Sequence, residues 1–233
     1  MKPTLAKTYD GQAVSGWLMS EKLDGVRAIW DGEKLISRNG NVFPAPAWFL
    51  AQLPTGVMLD GELFMGRGRF QETVGRVRSG KGWEQIRFHV FDAPAASGGF
   101  ESRLAYAAGA VAGVAVAEIV PHVRCEGLAH MERYLAGVIN LGGEGIMLRN
   151  PSAPYRQGRT SDLLKYKMHS CDEGKVTSRM QGAVAASWRG MEIVIPCKRE
   201  MPSIGQLITF AFHGLTDSGC PRFASFVGVR DYE

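Results

Sequence analysis

Residues 20–27 read SEKLDGVR, and this stretch decides how the rest of the chain is interpreted. The composition of residues 17–22 and 27–30 favours strands, so Lys22 stands at the end of a strand and Gly25 in the turn that follows. A lysine amine attacks phosphorus only when it is uncharged, and burial or neighbouring cations lower its pKa. Taken alone, residues 22–25 (KLDG) favour an exposed lysine in a turn. The assignment of Lys22 as a nucleophile therefore depends on the other motifs.

Three carboxylates in two later motifs are candidates for phosphate and metal chemistry. Asp60 and Glu62 lie two residues apart in LDGELF (residues 59–64), and the period of a strand puts both on one face. Glu144 begins EGIMLR (residues 144–149), at the start of another predicted strand. Such groups are costly to bury unless they are paired, hydrated or bound to a metal. Oxygen ligands beside a phosphate suit Mg²⁺, and the alternative is a set of surface salt bridges.

Two lysines complete the series of motifs in LLKYK (residues 163–167). Lys165 and Lys167 are two residues apart, so they point to the same side of a strand. Two cations aimed at one anion suit a triphosphate, and they also oppose protonation of a neighbouring lysine. The alternative interpretation is a strand edge that is guarded by lysines.

The overall charge is mild, but its distribution is uneven. The chain has 233 residues, of which 45% are hydrophobic, which is enough for one large core or two smaller ones. The formal net charge of +4 does not by itself indicate a nucleic-acid partner. Residues 65–90 nevertheless hold six basic and two acidic residues, and residues 145–168 hold five basic residues and one acidic residue. These stretches predict either a phosphate-binding surface or a solvated basic face.

The cysteines and the amino-terminal residues exclude several classes of protein. The four cysteines, Cys125, Cys171, Cys197 and Cys220, form no CxxC pair, so zinc spacing is absent and free thiols are expected. The sequence contains no signal-peptide core and no apolar run of membrane length. We therefore expect a chain without membrane association in the cytoplasm, or in the periplasm if an export leader has been removed.

The pattern of predicted elements divides the chain near residue 168. Before it, strand-like and helix-like segments alternate irregularly, with helices predicted over residues 69–78, 102–114 and 128–141, which indicates an α+β domain. Residues 169–174 are polar and rich in turn formers, which predicts a linker. About five short strands follow, and such a series fits a small β-barrel.

The motifs resemble, in kind and in order, the nucleotidyltransferase motifs of ATP-dependent DNA ligases. They are KLDGVR (22–27), SRNG (37–40), LDGEL (59–63), FHVFD (88–92), EGIMLR (144–149) and LLKYK (163–167). The resemblance covers nearly the whole chain and is greatest to the minimal E-type ligases of bacteria or phages. It implies an α+β nucleotidyltransferase fold, an ATP-grasp-like adenylation domain over residues 1–168, followed by a small all-β OB-fold domain over residues 169–233.

The resemblance implies a role for each residue around the nucleotide. Lys22 would attack the α-phosphorus of ATP and hold AMP through a P–N bond. Ser20 would lie near the adenine amino group, and Arg27 would contact the ribose region. Glu62 would bind the ribose and help to hold a metal. Phe91 would stack on adenine, although without the resemblance it would be taken as a core phenylalanine.

The resemblance also implies a second group of residues that would face phosphates. Arg38 would bind the 5′-phosphate of a nick, for which a fixed and bidentate cation is suited. Glu144 would serve the metal. Arg149 would contact the nucleotide or a phosphate, and Lys165 and Lys167 would neutralise the reacting phosphate.

The implied function is that of an ATP-dependent DNA ligase, which seals nicks between 5′-phosphate and 3′-hydroxyl ends during DNA repair or replication. ATP and Mg²⁺ are the expected cofactors, with Mn²⁺ as a substitute. Nicked duplex DNA is the expected partner, and we expect a monomer that needs no other protein. In the OB-fold domain, Arg222 or Arg230 would orient the leaving pyrophosphate, and which of them does so stays open.

Two alternatives belong to different classes of protein. An RNA ligase or another lysyl-nucleotidyl transferase would share the lysine motif, but the phrase RFASF (residues 222–226) and the β-rich carboxyl-terminal part favour a DNA ligase. A non-catalytic nucleic-acid binder of the OB type would need neither Lys22 nor the carboxylates Glu62 and Glu144. Their joint presence argues against it.

Overall fold

The structure, a computed structural model, describes residues 2–167, 170–197, 201–212, 215–216, 218–221 and 224–230. The chain divides into two compact units, Met1–Lys167 and Met168–Glu233. Within the described residues, the first unit has two sheets and two hydrophobic core clusters, and the second unit has one sheet and one core cluster. Within the described ranges, no helix is both long and apolar enough to cross a membrane.

The first unit contains two five-stranded sheets, whose strands are numbered along the chain. The sheet that leads into Lys22, called the lysine sheet below, consists in spatial order of β1 (Thr4–Thr8), β10 (Gly158–Tyr166), β9 (Ile146–Arg149), β2 (Leu18–Glu21) and β8 (Val123–Arg124). The sheet that carries Phe91, called the aromatic sheet, consists of β4 (Leu35–Ser37), β3 (Val26–Trp30), β5 (Leu59–Phe64), β6 (Arg87–Asp92) and β7 (Ala117–Ile119). β1 pairs with β10 in parallel, and so does β7 with β6.

The four α-helices of the described residues include the three that the apolar periodicity predicts. They are α1 (Ala47–Leu50), α2 (Phe70–Ser79), α3 (Phe100–Ala110) and α4 (Leu128–Asn140), with a short 3-10 helix at Trp83–Gln85. The three predicted helices are confirmed, but α3 ends at Ala110 rather than at residue 114. Gly113 has a left-handed φ of +75°, which a right-handed helix does not contain.

Packing on the two sheets makes each of them a firm platform. On the lysine sheet, α4 buries Met131, Leu135 and Val138, which recur at helical spacing, against Met19 and Leu148. The aromatic sheet has a larger core, whose bulkiest members are Trp30, Phe49, Trp83 and Phe88. Side chains of this size contribute about 1.5–3 kcal/mol each when they are fully buried.

The second unit is a single curled sheet. It consists in spatial order of β13 (Met191–Pro196), β12 (Ala183–Trp188), β11 (Ser170–Met180), β14 (Leu207–Phe212) and β15 (Ser225–Val229). The two outer strands, β13 and β15, approach each other, so the sheet curls towards a closed barrel around Trp188 and Phe210. The predicted small β domain after the α+β domain is therefore confirmed.

The prediction of a linker over residues 169–174 is wrong from Ser170 onwards, because β11 begins at that residue. His169 lies outside the described residues. The polar residues of this stretch have partners that the sequence does not reveal. Asp172 accepts hydrogen bonds from Trp188 Nε1 at 2.8 Å and from Arg189 at 2.9 Å. Glu173 pairs with Arg230 at the end of β15. The turn-like composition thus belongs to a strand whose carboxylates are satisfied across the sheet.

Candidate active site

A cavity of about 260 Å³ lies in the first unit and is lined by side chains from both sheets. Eight of the residues singled out in the sequence line it: Ser20, Lys22, Arg27, Arg38, Glu62, Phe91, Arg149 and Lys165. Glu144 and Lys167 complete the cluster because both contact the charged group around Lys22. Ten predicted site residues therefore converge on one place.

Strand register explains how the lysine sheet supplies one wall of this cavity. Lys165 lies opposite Met147, and Met147 lies opposite Ser20, so one row of neighbours crosses β10, β9 and β2. The next row on the same face joins Leu163, Arg149 and Leu18 in the same way. Met147 and Leu163 line the cavity although the sequence analysis does not name them. Their signal was the two-residue period that links them to Lys165 and Arg149.

Lys22 is held by its backbone and by its side chain. Its N–H donates to the carbonyl of Gly145 at 2.8 Å, which ties the end of β2 to the start of β9. Its Nζ lies 2.5 Å from Oε2 of Glu144, and the other carboxylate oxygen accepts a hydrogen bond from Lys167. Glu144 therefore bridges two lysines, and it is partly accessible, with 15% of its side chain exposed.

Gly25 and Gly145 lie beside the lysine motif at two places where backbone segments approach each other closely. A Cβ at Gly25 would come within 2.4 Å of the carbonyl oxygen of Leu63. A Cβ at Gly145 would come within 2.4 Å of the carbonyl oxygen of Tyr166. Real Cβ atoms do not tolerate such distances, so a side chain at either position would push the lysine motif away from its partners.

Asp60 and Glu62 serve different purposes although they lie two apart on β5. Asp60 is fully buried and receives two hydrogen bonds from Arg27, at 2.9 and 2.6 Å, and one from the hydroxyl of Tyr155 at 2.9 Å. Arg27 in turn lies 5.2 Å from the ring centre of Phe91. Asp60 is thus committed to holding Arg27 in place beneath the aromatic ring.

Glu62 lines the cavity, where the backbone of Gly25 donates a hydrogen bond to it. Burial raises its pKa to about 7, and the nearby charges of Lys22 and Arg27 only partly offset that effect. Partial burial of Lys165, together with the charge of Lys22, lowers the pKa of Lys165. A carboxyl group and an amine with shifted pKa values beside one cavity are typical of a reactive site.

A second ion-pair cluster, which no motif in the sequence reveals, lies beside the cavity. Asp92 at the end of β6 pairs with Arg103 of α3 at 2.8 Å and with Arg149 of β9 at 2.9 Å. Arg103 also donates to the carbonyls of Gly98 at 3.0 Å and Ala153 at 2.9 Å. Because Asp92 belongs to the aromatic sheet and Arg149 to the lysine sheet, the cluster joins the two walls of the cavity.

The far end of the cavity is lined by residues that no motif identifies: Phe100, Val120 and His122. His122 Nδ1 lies 2.8 Å from the carbonyl oxygen of Val120, and the imidazole packs against Phe100 with ring centres 5.4 Å apart. Burial lowers the pKa of His122 to about 4, so the ring is neutral at physiological pH. Arg149 stacks on the same phenylalanine at 4.5 Å.

The remaining predicted residues lie at the rim or in the second unit. Arg38 is exposed in the tight turn after β4, where Gly40 N–H donates to the carbonyl of Ser37 at 2.9 Å. Arg230 pairs with Glu173 in the second unit. Arg222 lies outside the described residues.

The two basic stretches differ once their partners are known. In residues 65–90, Arg67 pairs with Glu21 at 2.6 Å, and Arg69 and Arg76 both pair with Glu72. In residues 145–168, by contrast, Arg156 and Arg159 line an open trough together with Lys7, Thr160 and Ser161, among others. Asp162, which lies 3.8 Å from Arg156, also lines this trough, so the second stretch forms an open surface of cations and hydroxyl groups beside one carboxylate.

Comparison with known proteins gives the same division of the chain. The profile described as ATP dependent DNA ligase domain matches residues 3–167, and the profile described as DNA ligase OB-like domain matches residues 175–230. A DNA ligase of Haemophilus influenzae Rd is 35% identical over 243 aligned positions, which cover 95% of this chain and 90% of that protein.

Solved structures extend the likeness to three dimensions. One, described as a structure-function analysis of Lig E DNA ligases that bind DNA with a minimal scaffold, has a TM-score of 0.91 at 34% identity and covers 99% of both chains. The Chlorella virus DNA ligase-adenylate, at 20% identity and a TM-score of 0.63, shares the fold over 99% of both chains. The family profile and the Haemophilus relative each span most of the chain, which therefore belongs to the ATP-dependent DNA ligases, with an adenylation domain followed by an OB-fold domain.

Proposed function

We propose that this ligase seals nicks in duplex DNA through three transfers that begin at Lys22. The amine attacks the α-phosphorus of ATP and expels pyrophosphate, which leaves AMP on the lysine. AMP then passes to the 5′-phosphate at the nick, and the 3′-hydroxyl finally attacks that phosphate and releases AMP. The observation that carries this proposal is the convergence of Lys22, Glu144 and Lys167 beside a cavity that Phe91 and Glu62 line.

The charges around Lys22 suit its role as a nucleophile. Glu144 accepts a hydrogen bond from Nζ and so orients the amine. That carboxylate favours the protonated amine, whereas Lys165 and Lys167, cations on the same side, oppose its protonation. They also neutralise charge on the phosphate under attack, so the same groups activate the nucleophile and stabilise the transition state.

Glu62 and Glu144 would hold the Mg²⁺ ion that we propose as the second cofactor. Among the described residues, no group of three or more His, Cys, Asp or Glu side chains is suited to a metal, so the protein does not provide a complete cage. Two carboxylates together with substrate phosphates nevertheless match the way in which Mg²⁺ is usually bound. The ion would supply charge neutralisation at the phosphates.

Nucleotide recognition would use both walls of the cavity. Phe91 would stack on adenine, held from below by Arg27 at 5.2 Å, and Glu62 and Arg27 would contact the ribose. Ser20 would lie near the adenine amino group, and Arg149, fixed by Asp92, would contact the nucleotide. The Asp92 cluster, which joins the two sheets, would hold the walls in place on either side of a planar base.

DNA would be bound by exposed cations outside the cavity. Arg38 at the rim would bind the 5′-phosphate, and the trough of Lys7, Arg156 and Arg159 would bind backbone phosphates. Substituting Arg159 by Ala should weaken DNA binding and reduce its salt slope by about one, with little effect on adenylation. An unchanged slope would exclude the trough from the interface. Arg222 or Arg230 of the OB-fold domain would orient pyrophosphate.

A sealing assay tests the proposal directly. Wild type should join a nicked duplex only with ATP and should acquire a covalent AMP that mass spectrometry detects. Lys22→Ala should lose both properties, whereas Lys34→Ala, which removes an exposed lysine at a hairpin turn, should retain them. Sealing by Lys22→Ala, or an AMP adduct on another residue, would disprove the mechanism.

A further inference from the structure

The cavity has a cationic end and a second end whose charged residue, Arg149, stacks on Phe100 and is neutralised by Asp92. Lys22, Lys165 and Arg38 line the first, whereas Phe100, Val120 and His122 line the second. A nucleotide that places its phosphates at the cations therefore places its base at the second end. Strand register gives the distance between the two ends. The row of neighbours from Lys165 on β10 through Met147 and Ser20 leads to β8, which lies three strand spacings, or about 14 Å, from β10.

His122 lies where that row ends. β8 pairs with β2 so that Leu18 is opposite Arg124 and Met19 is opposite Val123. His122 is the next residue before β8 and Ser20 is the next along β2, so the register brings these two side by side. Ser20 and His122 both line the cavity.

The tautomer of His122 follows from its hydrogen bond. A carbonyl oxygen only accepts, so the contact of 2.8 Å between Nδ1 and the oxygen of Val120 requires the proton on Nδ1. In the neutral ring, Nε2 then carries a lone pair and accepts hydrogen bonds. Among the described residues, none pairs with Nε2 of His122. Every buried side-chain nitrogen or oxygen of these residues has a partner, so an atom without a partner must be exposed to solvent. Nε2 is therefore accessible.

The ring cannot easily turn away from this arrangement. Phe100 packs against it at 5.4 Å with an interplanar angle of 61°, and Phe100 is itself covered by Arg149 at 4.5 Å. The charged groups that act on the imidazole are Arg149 and Asp92, which pair with each other. The base end of the cavity thus presents a fixed acceptor without a net charge of its own.

We propose that His122 is a specificity-determining residue for the nucleotide, which accepts a hydrogen bond from the exocyclic amino group of adenine and disfavours a 6-oxo purine such as guanine. Adenine offers a donor at this position, and guanine offers an oxygen that would face the lone pair of Nε2. This inference rests on the proposed function, which puts ATP in the cavity.

The test measures the second-order rate of lysyl-nucleotide formation with ATP, with purine riboside triphosphate, which lacks the amino group, and with GTP. The hydrogen bond should give wild type about a tenfold preference for ATP over purine riboside triphosphate. GTP should react more slowly still. Each preference is the ratio of two rates measured on the same protein preparation. If a variant is only partly folded, both rates fall by the same factor and the ratio is unchanged.

Two substitutions separate the hydrogen bond from packing. His122→Phe keeps a ring against Phe100 but removes the acceptor, so its rates with ATP and purine riboside triphosphate should become equal. His122→Gln retains an acceptor and should keep part of the preference. His89→Phe is the matched control, because His89 is also packed edge-on against an aromatic ring, Phe64 at 5.3 Å, but does not line the cavity. It should keep the full preference.

The outcomes discriminate between this inference and the proposed function. A tenfold preference that persists in His122→Phe would overturn the role of His122, while lysyl-AMP formation itself would stand. Equal loss of preference in His89→Phe would also overturn it. Absence of any nucleotide adduct on wild type would instead refute the proposed function, and this inference with it.

Discussion

Two carboxylates in the adenylation domain each bridge two cations, but in opposite environments. Glu144 lies between Lys22 and Lys167 with 15% of its side chain exposed. Asp92 lies between Arg103 and Arg149 with no exposure at all. Lysine can lose its proton and is flexible, whereas arginine stays charged and fixes a planar geometry. The difference supports the proposal that the first cluster, called the reactive cluster below, takes part in the reaction and that the second, the supporting cluster, holds the walls of the cavity.

The largest effect should come from exchanging the cation type in the reactive cluster. Lys22→Arg keeps a positive charge beside Glu144, but a guanidinium does not become a neutral nucleophile. Adenylation should therefore fall at least about 1,000-fold, while the free energy of unfolding changes by less than about 1 kcal/mol, as for other partly exposed ion pairs. Labelled AMP transfer and thermal unfolding of the same preparation measure both. Residual adenylation above one per cent would contradict the assignment.

The next effect should appear when the buried carboxylate loses its charge. Asp92→Asn leaves Arg103 and Arg149 uncompensated in the interior, which should destabilise the adenylation domain by about 3–5 kcal/mol. Thermal or urea unfolding measures the change. Glu101→Gln is the control, because its pair with Arg124 is more than half exposed and should matter by less than about 1 kcal/mol. Equal effects of the two substitutions would remove the distinction between the clusters.

A third test uses Glu62, which lines the cavity near Lys22 and Arg27 and whose pKa is shifted by burial. Burial raises its pKa from 4.5 to about 7, so the folded chain binds a proton that the unfolded chain has released between these values. Stability should therefore decline as pH rises from about 4.5 to about 7, by at most about 3 kcal/mol. Glu62→Gln should unfold with a smaller loss between pH 5 and pH 8. Identical pH dependence in both proteins would show that Glu62 does not carry the shift.

The smallest effect should come from exchanging the cation type in the supporting cluster. Arg103→Lys keeps the charge but cannot reach both oxygens of Asp92 and the carbonyls of Gly98 and Ala153 together. The expected loss of stability is about 1–2 kcal/mol, with adenylation by the folded protein nearly unchanged. Urea titration and AMP transfer measure these quantities. A larger loss of adenylation than of stability would place Arg103 in the chemistry.

The reactive cluster was predictable from the sequence, and the supporting cluster was not. Lys22, Glu144 and Lys167 lie in short motifs whose strand period and order carry the information. Arg103 lies in none of these motifs. Asp92 and Arg149 do lie in motifs, but Asp92 is 11 positions from Arg103 and 57 from Arg149, and no pattern in the sequence indicates that the three form one cluster. The error at residues 170–174 has the same origin, because the partners that make a polar stretch into a strand are distant.

The parallel pairing of β1 with β10 has a consequence for synthesis on the ribosome. Thr4 aligns with Gly158 and Thr8 with Lys165, so the amino-terminal strand waits for more than 150 residues of translation before it finds its neighbour. The aromatic sheet uses only residues 26–119 and is free to assemble earlier. A nascent chain can therefore complete its hydrophobic platform before its nucleotide pocket, and a product that ends before β10 lacks both Lys165 and Lys167.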